Sequence, residues 1–550
     1  MDWRRRTFLL VEIFLLAGLS RSIPTTLEGP FKPVTIPFDS SLRRGSQDLP
    51  TDDPRLQRTR PHGFPEQIKL ALSHHGSMWV SWVSGDYQIG DNVVPLDPST
   101  TKSFVLYGTS THNYNFLAEG SVVVYSQLYP FVGLLNYTSG FNHHVLLDGL
   151  KASTTYYYRC GSSLERLSEE LSFTTLDDRG YPARIAVVGD LGLTYNSSAT
   201  VDHVIRNDPS LLLMVGDLTY SDQYITNGTG SPCFSCAFPD APIRETYQPH
   251  WDHWGRFMEP LTAKVPMMVI EGNHEIEPQA LGKTFESYKA RFSVPPGSNS
   301  SLYYSFDVGG IHFLMLGGYI DYNRTGAQFA WLKDDLQRVN RLLTPWIVAA
   351  WHPPWYNSYS SHYREVECMR LEMEELLYNA GVDIVINGHV HAYERTNRVY
   401  NYELDPCAPL YIVVGDGGNV ERVDTEHADD PGRCPKPEDN VPQFGGVCAQ
   451  NFSTGPAANQ FCWGRQPDWS ALRDGSFGHG VLEVKNNTHA LWTWYRNQDV
   501  YGDSHLGDQI YIVKSPQCQN YPAFQADERS GGNSGSPSRI LGALAILLLL

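Results

Sequence analysis

Two histidines, His389 and His391, stand just beyond a β-branched apolar run, residues 382–386, and the glycine Gly388. A run of this kind is typical of a buried strand. In extended backbone, side chains two positions apart leave on the same side, so both imidazoles can face the space beyond the strand end. Two neutral imidazoles on one face could bind a metal ion; the alternative is a pair of histidines satisfied by ordinary hydrogen bonds. Which of these holds depends on the other side chains that converge there.

Four further apolar runs are each followed directly by Gly, Asp, Asn or His. Residues 184–188, 211–215, 266–270 and 346–350 lead into Gly189-Asp190-Leu191-Gly192, Gly216-Asp217-Leu218-Thr219-Tyr220, Glu271-Gly272-Asn273-His274-Glu275 and Trp351-His352-Pro353-Pro354, respectively. Each cluster alone could be a turn, because Gly-Asp is common turn chemistry. Ligands of open α/β sheets bind beyond the carboxyl ends of the strands, so five such clusters in succession predict one shared rim.

The side chains at this rim offer carboxylate, phenol, amide and imidazole groups and no thiolate. They are Asp190, Asp217, Tyr220, Asn273, His352, His389 and His391. The set is larger than one ion needs and suits two hard or borderline ions about 3.5–4 Å apart, bridged by a carboxylate. A free phenol has a pKa near ~10, so ligation by Tyr220 at acidic or neutral pH requires a strongly Lewis-acidic ion such as Fe(III). The alternative for Tyr220 is a buried tyrosine with a hydrogen-bonded hydroxyl.

The order and identity of these groups resemble the five-block signature of purple acid phosphatases, in their high-molecular-weight plant form. The matching blocks are Gly189-Asp190-Leu191-Gly192, Gly216-Asp217-x-x-Tyr220, Gly272-Asn273-His274-Glu275, Val348-x-x-x-His352 and Gly388-His389-x-His391. The resemblance covers nearly the whole mature chain and implies a binuclear metallophosphoesterase.

Carried over to this sequence, the resemblance implies a ligand set for each of two ions. Asp190, Tyr220 and His391 would bind Fe(III), Asn273, His352 and His389 would bind Zn(II) or Mn(II), and Asp217 would bridge them. His274 and His362 match histidines that contact the substrate phosphate; they are the expected catalytic residues and, with Asn273, the expected substrate-binding ones. Ser361 stands where the plant pattern often has a second histidine, which puts a phosphate contact there in doubt.

The implied function is a secreted acid phosphatase that hydrolyses phosphate monoesters. A hydroxide generated at the Fe(III)–M(II) centre would attack phosphorus, while His362 or His274 stabilises the phosphate or protonates the leaving group. The Arg-His-Gly motif of histidine acid phosphatases is absent from the sequence. One alternative keeps the site and makes the protein a phosphodiesterase or nucleotide pyrophosphatase. Another, from a different class, is a non-catalytic surface interaction glycoprotein, against which the intact ligand set argues.

A long cysteine-bearing loop bears on the substrate. Residues 420–465 contain Cys434, Cys448 and Cys462, and together with Cys233-Phe-Ser-Cys236 and residues 241–249 they resemble the phytase branch of the family. The resemblance implies that phytate is among the substrates. So anionic a substrate needs cations at the rim. The expected ones, each of which could equally be a solvated surface charge, are Arg244, His250, Arg364, Arg395 and Lys436.

Around these motifs, the pattern of apolar runs predicts the fold. Seven short runs between residues 68 and 175, separated by turn residues, indicate a fibronectin-like β-sandwich over 63–178. Alternating strands and helices then indicate an α/β metallophosphoesterase domain of the calcineurin-like kind, a β-sandwich core flanked by helices, over 183–515. The leader, residues 23–62, has little periodicity and is expected to be irregular.

The composition and the two termini limit the cellular locations and binding partners that the protein can have. The net charge of −18 argues against nucleic-acid binding but not against a small phosphorylated substrate. Residues 1–22 have the pattern of a signal peptide, and the tail 516–550 ends in an apolar run that matches either a GPI-attachment signal or a dispensable tail. The expected location is the apoplast or vacuole, or the plasma membrane if anchored, with the protein a monomer or homodimer.

Glycosylation and disulfides are expected in a secreted chain. Seven sequons predict a glycoprotein: Asn136, Asn196, Asn227, Asn299, Asn323, Asn451 and Asn486. Nine cysteines predict disulfides with one left over, and Cys233-Phe-Ser-Cys236 is expected to form a disulfide or loop staple rather than a zinc or redox site.

Overall fold

The computed structural model describes most of the chain. It covers residues 29–518 except 43–44, 128–135, 178–182, 224, 227–244, 247, 280–281, 298–299, 437–460, 499–502 and 516–517. The predicted signal peptide, most of the carboxyl-terminal tail and the Cys233–Cys236 pair lie outside the described residues.

The amino-terminal part of the described chain is built of short strands. They are β1 (Val34–Ile36), β2 (Glu66–Leu72), β3 (Met78–Ser84), β4 (Gln88–Gly90), β5 (Phe104–Gly108), β6 (Phe116–Glu119), β7 (Ser121–Val123), β8 (Ser126–Gln127), β9 (Asn136–Thr138), β10 (Phe141–Leu147), β11 (Thr155–Ser163), β12 (Arg166–Leu167) and β13 (Leu171–Thr174).

Two sheets built from strands between β2 and β13 form the predicted sandwich, and β4, β9 and β8 form a small third sheet. One sheet has the order β2-β3-β10-β7, and the other has the order β12-β11-β5-β6 with β13 paired to β11. Alternate residues of both sheets meet in one core, among them Val80, Trp82, Val105 and Tyr158. The hydroxyl of Tyr156 accepts a hydrogen bond from the Lys151 amide at 3.0 Å, which fixes the corner before β11 as in fibronectin-type domains. The sandwich prediction is confirmed.

The second part of the chain alternates strands with helices. Its strands are β14 (Arg184–Val188), β15 (Leu211–Val215), β16 (Ile225–Thr226), β17 (Glu245–Thr246), β18 (Met267–Ile270), β19 (Tyr304–Val308), β20 (Ile311–Met315), β21 (Trp346–Ala350), β22 (Ile384–Asn387), β23 (Tyr393–Tyr400), β24 (Glu403–Leu404), β25 (Leu410–Val414), β26 (Ser470–Asp474), β27 (Gly478–Val484), β28 (His489–Gln498) and β29 (Asp503–Val513). Its helices are α1 (Tyr195–Arg206), α2 (Pro249–Thr262), α3 (Glu286–Arg291), α4 (Ala327–Arg338) and α5 (Glu367–Asn379).

Two sheets pack face to face in this part. One has the order β18-β15-β14-β27-β28-β29, and the other has the order β1-β26-β23-β25-β22-β21-β20-β19 with β24 on β23. Residues that face the partner sheet form one core, for example Val187, Leu213, Phe313, Val348 and Ile386. The prediction of a β-sandwich core flanked by helices is confirmed.

The helices cover the outer faces of the two sheets. Because neighbouring strand residues point to opposite faces, Val188 leaves the sheet toward α1 and α2, and Ile347 leaves it toward α4 and α5. Local sequence starts these helices where the fold needs them. Thr194 caps α1 through a capping box with Ser197, and Pro249 stands at the first turn of α2.

The leader contributes one short strand to the fold. The structure places β1 parallel to β26, at the edge of the second sheet, and this short strand is an exception in a segment that otherwise consists of turns and loops where it is described. Further along the leader, the Leu49 amide donates to the Leu193 carbonyl at 2.9 Å. Three residues are too few for periodicity to identify a strand, so β1 depends on its partner strand rather than on its own pattern.

The cysteines and sequons can be compared with their predictions only where the chain is described. Disulfides join Cys407 to Cys518 and Cys434 to Cys462, and Cys160 is a buried free thiol. Asn323 and Asn486 are exposed and Asn136 is half-buried, but Asn196 lies buried in α1, which argues against a glycan there. In the same described part of the chain, none of the helices has the length and apolar character needed to cross a bilayer.

Candidate metal centre and substrate site

The predicted blocks lie at the carboxyl ends of two groups of parallel strands. β14, β15 and β18 are parallel neighbours in one sheet, and β20, β21, β22 and β25 are parallel neighbours in the other. Backbone hydrogen bonds connect the turns beyond them: the Asp190 amide donates to Gly216 at 3.1 Å, and the Gly388 amide donates to His352 at 2.9 Å. The rim of the sandwich therefore brings all five blocks together.

Glycines in these turns let backbone approach the functional side chains. A Cβ on Gly216, whose φ is +90°, would lie 2.3 Å from Nδ1 of His352. A Cβ on Gly272 would lie 2.1 Å from Oδ1 of Asp217. Neither position has room for a side chain, so both blocks require glycine.

One cluster at the rim contains Asp217, His352 and His389. Their nearest ligand atoms all lie within 4.8 Å of one another, and Oδ2 of Asp217 is 2.8 Å from Nε2 of His352. Nδ1 of His352 lies 2.7 Å from the Val215 carbonyl, to which it can only donate. This hydrogen bond leaves Nε2 with its lone pair facing Asp217, the tautomer that a metal ligand needs.

A second, adjacent cluster contains Asp190, Tyr220 and His391. The Tyr220 hydroxyl lies 3.3 Å from Oδ1 of Asp190 and 3.4 Å from Nε2 of His391. Nδ1 of His391 lies 3.2 Å from the carbonyl of Arg422, which again turns the Nε2 lone pair toward the cluster. Asp190 and His352 connect the two clusters, with 3.8 Å between Oδ1 and Nε2.

Two observations show that these residues fit metal cations. Oδ2 of Asp217 and Nε2 of His352 are both fully buried, yet neither makes a hydrogen bond of acceptable geometry. Burial disfavours a charge on His352, but Asp217 and Asp190 outweigh it and raise the pKa of the imidazole to about 9. The site therefore attracts positive charge, and a cation at this point would satisfy both orphaned atoms.

Asn273 lies beside the first cluster, at the start of the short turn Asn273–Glu275. Its Oδ1 is 3.3 Å from the Tyr319 hydroxyl. Glu275, which the sequence did not single out, is buried and accepts hydrogen bonds from the amides of Asp217 and Gly272 at 2.8 Å and of Leu218 at 2.9 Å. It thus holds the turns that carry Asp217 and Asn273 together. Its place in the Gly-Asn-His-Glu block was the only available signal.

His274 packs against the second cluster. Its ring contacts the Tyr220 ring at a centroid distance of 4.2 Å, and its Nδ1 is 2.9 Å from Oδ1 of Asp222. Burial opposes a charge on this imidazole, but Asp222 and Asp217 raise its pKa well above the ordinary value. Nε2 of His274 faces Asp217 at 3.9 Å and Glu421 at 3.8 Å. The result is an imidazolium held at the edge of the centre.

His362 lies on the other side, with its ring 3.8 Å from that of His389. Glu365 accepts a hydrogen bond from Nδ1 of His362 at 2.5 Å and lies 3.3 Å from Nε2 of His389. Burial lowers the pKa of His362, but the hydrogen bond to Glu365 raises it above the ordinary value overall. His362 is also the more exposed of the two predicted catalytic histidines, with 36% of its side chain accessible.

The cations expected at the rim are mostly elsewhere. His250 is buried and faces Asp48, Arg395 is buried in an ion pair with Asp508 at 2.6 Å, and Arg364 is buried against aromatic rings. The prediction that these three line the rim is wrong, because each is used inside the fold. Lys436 is exposed, and Arg244 lies outside the described residues.

Arg422, which the sequence reasoning missed, is exposed next to the centre. Its carbonyl receives the hydrogen bond from His391, and it follows Glu421, whose carboxylate lies 3.5 Å from Nε2 of His391. Its position in the loop after Gly415-Asp416-Gly417-Gly418-Asn419 was the one signal that could have identified it.

The sequence of the chain matches those of known protein families. Sequence models match for the calcineurin-like phosphoesterases over residues 183–393, the purple acid phosphatase N-terminal domain over 65–175 and the iron/zinc purple acid phosphatase-like C-terminal region over 451–508. The chain is 60% identical over 524 residues to purple acid phosphatase 15 of Arabidopsis thaliana, covering 93% of this chain and 97% of the relative. It is 65% identical over 434 residues to purple acid phosphatase 23 of the same plant, covering 77% and 95%.

A solved structure shares the fold. A purple acid phosphatase from yellow lupin (Lupinus luteus) seeds superposes with a TM-score of 0.59 at 19% identity, covering 86% of this chain and 78% of the lupin chain.

Proposed function

Because this chain belongs to the purple acid phosphatases, phosphoric monoester hydrolases with a binuclear metal centre, we propose that it is a secreted acid phosphatase that hydrolyses phytate among its substrates. The observation that carries the proposal is the buried pair formed by Oδ2 of Asp217 and Nε2 of His352, which lie 2.8 Å apart without a hydrogen bond. A cation bound between them would give both buried atoms the partner that hydrogen bonding does not supply.

The two clusters divide the ligands between two ions. Asp190, Tyr220 and His391 would hold Fe(III), while Asn273, His352 and His389 would hold Zn(II) or Mn(II) and Asp217 would bridge them. When bound, such ions neutralise phosphate oxygens and supply a hydroxide nucleophile at acidic pH. The phenol of Tyr220 supports iron at the first position, because burial and Asp190 raise its pKa and only a strong Lewis acid can then deprotonate it.

The two imidazoliums bind the substrate from opposite sides. Asp222 holds Nδ1 of His274 and Glu365 holds Nδ1 of His362, so in each ring we assign the contact with the reacting phosphate to Nε2. His274 stabilises the phosphate oxygens. His362, the more accessible ring, donates the proton of Nε2 to the departing alkoxide.

Phytate requires more positive charge than a simple monoester. In the described part of the loop 420–465, Arg422 and Lys436 are exposed, and Arg422 adjoins the metal centre through its own carbonyl. In a chain with a net charge of −18, such local cations are what a polyanionic substrate would contact. This loop therefore supports phytate as a substrate. Arg422 takes the place of the buried arginines as a candidate contact for the substrate.

Secretion is supported by chemistry on the chain itself. Disulfides such as Cys407–Cys518 and Cys434–Cys462 are typical of an oxidising compartment. The signal peptide and the GPI signal that the sequence predicts are part of the same proposal. Release of the protein from membranes by a phosphatidylinositol-specific phospholipase would establish the anchor, and a protein found only in the soluble fraction would exclude it.

Metal analysis combined with a substrate comparison tests the proposal. We expect about two metals per chain, one of them iron, a visible absorption band from Tyr220 and a higher kcat/KM for phytate and p-nitrophenyl phosphate than for a bis-ester. A folded, colourless, metal-free protein would overturn the proposal, and a preference for the bis-ester would favour the phosphodiesterase alternative. Asp217→Ala should abolish hydrolysis, and unchanged activity would exclude its bridging role.

A further inference from the structure

The segment that carries His362 has an unusual backbone. His362 has φ +52° and Arg364 has φ +59°, the left-handed region that non-glycine residues rarely adopt. Conformations of this kind persist only where the surrounding structure enforces them, and they cluster at functional sites. The residues that contact this segment therefore determine the position of His362.

One side of the segment is paired with the loop that follows the metal ligand His391. The Ala428 amide donates to the Ser358 carbonyl at 2.9 Å, and the Ser360 amide donates to the Glu426 carbonyl at 3.0 Å. The same loop is tied to the centre, because the Asp424 amide donates to the His391 carbonyl at 2.9 Å. The loop therefore connects the His362 segment to the metal centre.

Arg473, on β26, holds this side of the segment through hydrogen bonds. Its Nη1 donates to Oδ1 of Asp429 at 2.6 Å and to Oγ of Ser358 at 3.0 Å, and its Nη2 donates to Oδ2 of Asp429 at 3.0 Å. Its Nε donates to Oγ1 of Thr35 in β1 at 2.7 Å. One buried guanidinium thus joins the sheet, the leader strand, the loop and the His362 segment. A lysine cannot make this set of contacts, because it lacks the planar fork.

The other side of the segment is held by Phe461. Its carbonyl accepts hydrogen bonds from the Tyr363 hydroxyl at 3.0 Å and from Nη1 of Arg364 at 3.2 Å. The Arg364 guanidinium lies 5.3 Å from the ring centroid of Tyr402 and 5.4 Å from that of Phe461. Phe461 adjoins Cys462, whose disulfide to Cys434 joins this side to the loop on the first side.

We propose that these contacts form a clamp whose role is to position His362 for its contact with the substrate phosphate, with Arg473 and Asp429 as positioning residues. The clamp consists of Ser358, Asp429 and Arg473 on one side and Tyr363, Arg364 and Phe461 on the other. The inference rests on the proposed phosphatase function, because it assigns no chemistry of its own to the clamp. Nothing in the clamp has to touch the substrate.

Arg473→Lys tests the clamp, with Arg395→Lys as the matched control. Arg395 lies on the neighbouring strand β23 and forms an equally buried ion pair, with Asp508, that faces the other sheet. We expect Arg473→Lys to lower kcat about 10-fold, since small misplacements of a catalytic group are costly, and to weaken binding of inorganic phosphate in calorimetry. Metal content and the visible band should stay at the wild-type values, and Arg395→Lys should keep kcat within two-fold.

A double-mutant cycle separates positioning from general loosening of the fold. In a His362→Ala background the clamp has nothing left to position, so adding Arg473→Lys should change kcat less than two-fold. An equal loss of kcat in both backgrounds, or a wild-type kcat in Arg473→Lys, would overturn the proposal.

Tyr363→Phe covers the case in which Arg473→Lys does not fold. It removes one hydroxyl hydrogen bond and keeps the ring, so we expect kcat to fall two- to five-fold. In the His362→Ala background the same substitution should leave kcat unchanged. An unchanged kcat in the single variant Tyr363→Phe would overturn the clamp on that side. A wild-type protein without metals or phosphatase activity would instead refute the proposed function, so the two failures are distinguishable.

Discussion

Replacing Gly216 by alanine should disable the metal centre through a single methyl group. The added Cβ would lie 2.3 Å from Nδ1 and 2.7 Å from Cγ of His352, whereas an ordinary contact begins at 3.4 Å. The imidazole would have to move by about 1 Å, because the rest of its surroundings is close-packed core. That movement would break the 2.7 Å hydrogen bond from Nδ1 to the Val215 carbonyl, which sets the tautomer of the ring.

The expected consequence is a loss of the divalent ion and of activity together. A displacement of about 1 Å at a reacting centre can cost on the order of 100-fold in rate, which corresponds to about 2.7 kcal/mol. Metal content measured by plasma mass spectrometry should fall toward one ion per chain. The kcat for p-nitrophenyl phosphate should fall by at least this factor, because the displacement also costs the ion. The visible band should remain, because Tyr220 lies in the other cluster.

Gly149→Ala is the control for backbone strain alone. Gly149 also has a positive φ, +67°, but a Cβ there would meet nothing within 4 Å. This variant carries only the backbone cost, ~1 kcal/mol, and should keep both ions and full activity. If Gly216→Ala behaves like Gly149→Ala, with two ions and kcat within two-fold of wild type, the assignment of His352 as a positioned ligand is wrong.

Two further predictions concern the division of ligands and a distant ion pair. His389→Ala should lose the divalent ion and keep the visible band, whereas His391→Ala should lose iron and colour; loss of the same single ion from both would contradict the division. Burial disfavours a charge on His312, but Asp307 at 2.6 Å and Asp335 at 2.8 Å raise its pKa to about 9, above the ~6.5 of an unfolded chain. This stabilisation, about 1–3 kcal/mol after allowing for the half-exposed Asp307, is complete below pH ~6.5 and is lost as pH rises through 9. The melting temperature of the wild type should therefore fall more steeply over that range than the melting temperature of His312→Gln. Parallel curves for the two proteins would refute the prediction.

The order of strand and cluster made the centre predictable from the sequence. An apolar run and the residues after it are local in the chain, and the carboxyl ends of parallel strands share one rim wherever the sheet lies. Asp190, Asp217 and His389 could therefore be placed together without knowledge of the tertiary structure. The alternation within short runs identified the amino-terminal sandwich for the same reason.

What the sequence could not supply were contacts between segments far apart in the chain. Asp222, Glu365 and Glu421 reach the centre from three separate loops, and no local pattern marks them. Arg364 and Arg395 have the composition expected of rim cations, yet the fold uses both internally, one against aromatic rings and one against a buried carboxylate. The sequence does not show which group a charged residue will pair with, so only the structure could show that these arginines are buried.

The distribution of charge at the centre explains how an acidic protein can take an anionic substrate. Asp190 and Asp217 are buried there, and the two imidazoliums, His274 and His362, are each already paired with a carboxylate. The protein groups alone therefore offer phosphate little net positive charge, and the cations must supply it. The hydrogen bonds that set tautomers, the glycines and the clamp supply position instead. It follows that loss of one ion should weaken phosphate binding far more than any displacement that leaves both ions in place. A displaced imidazolium still carries its charge, whereas a missing ion removes two or three positive charges.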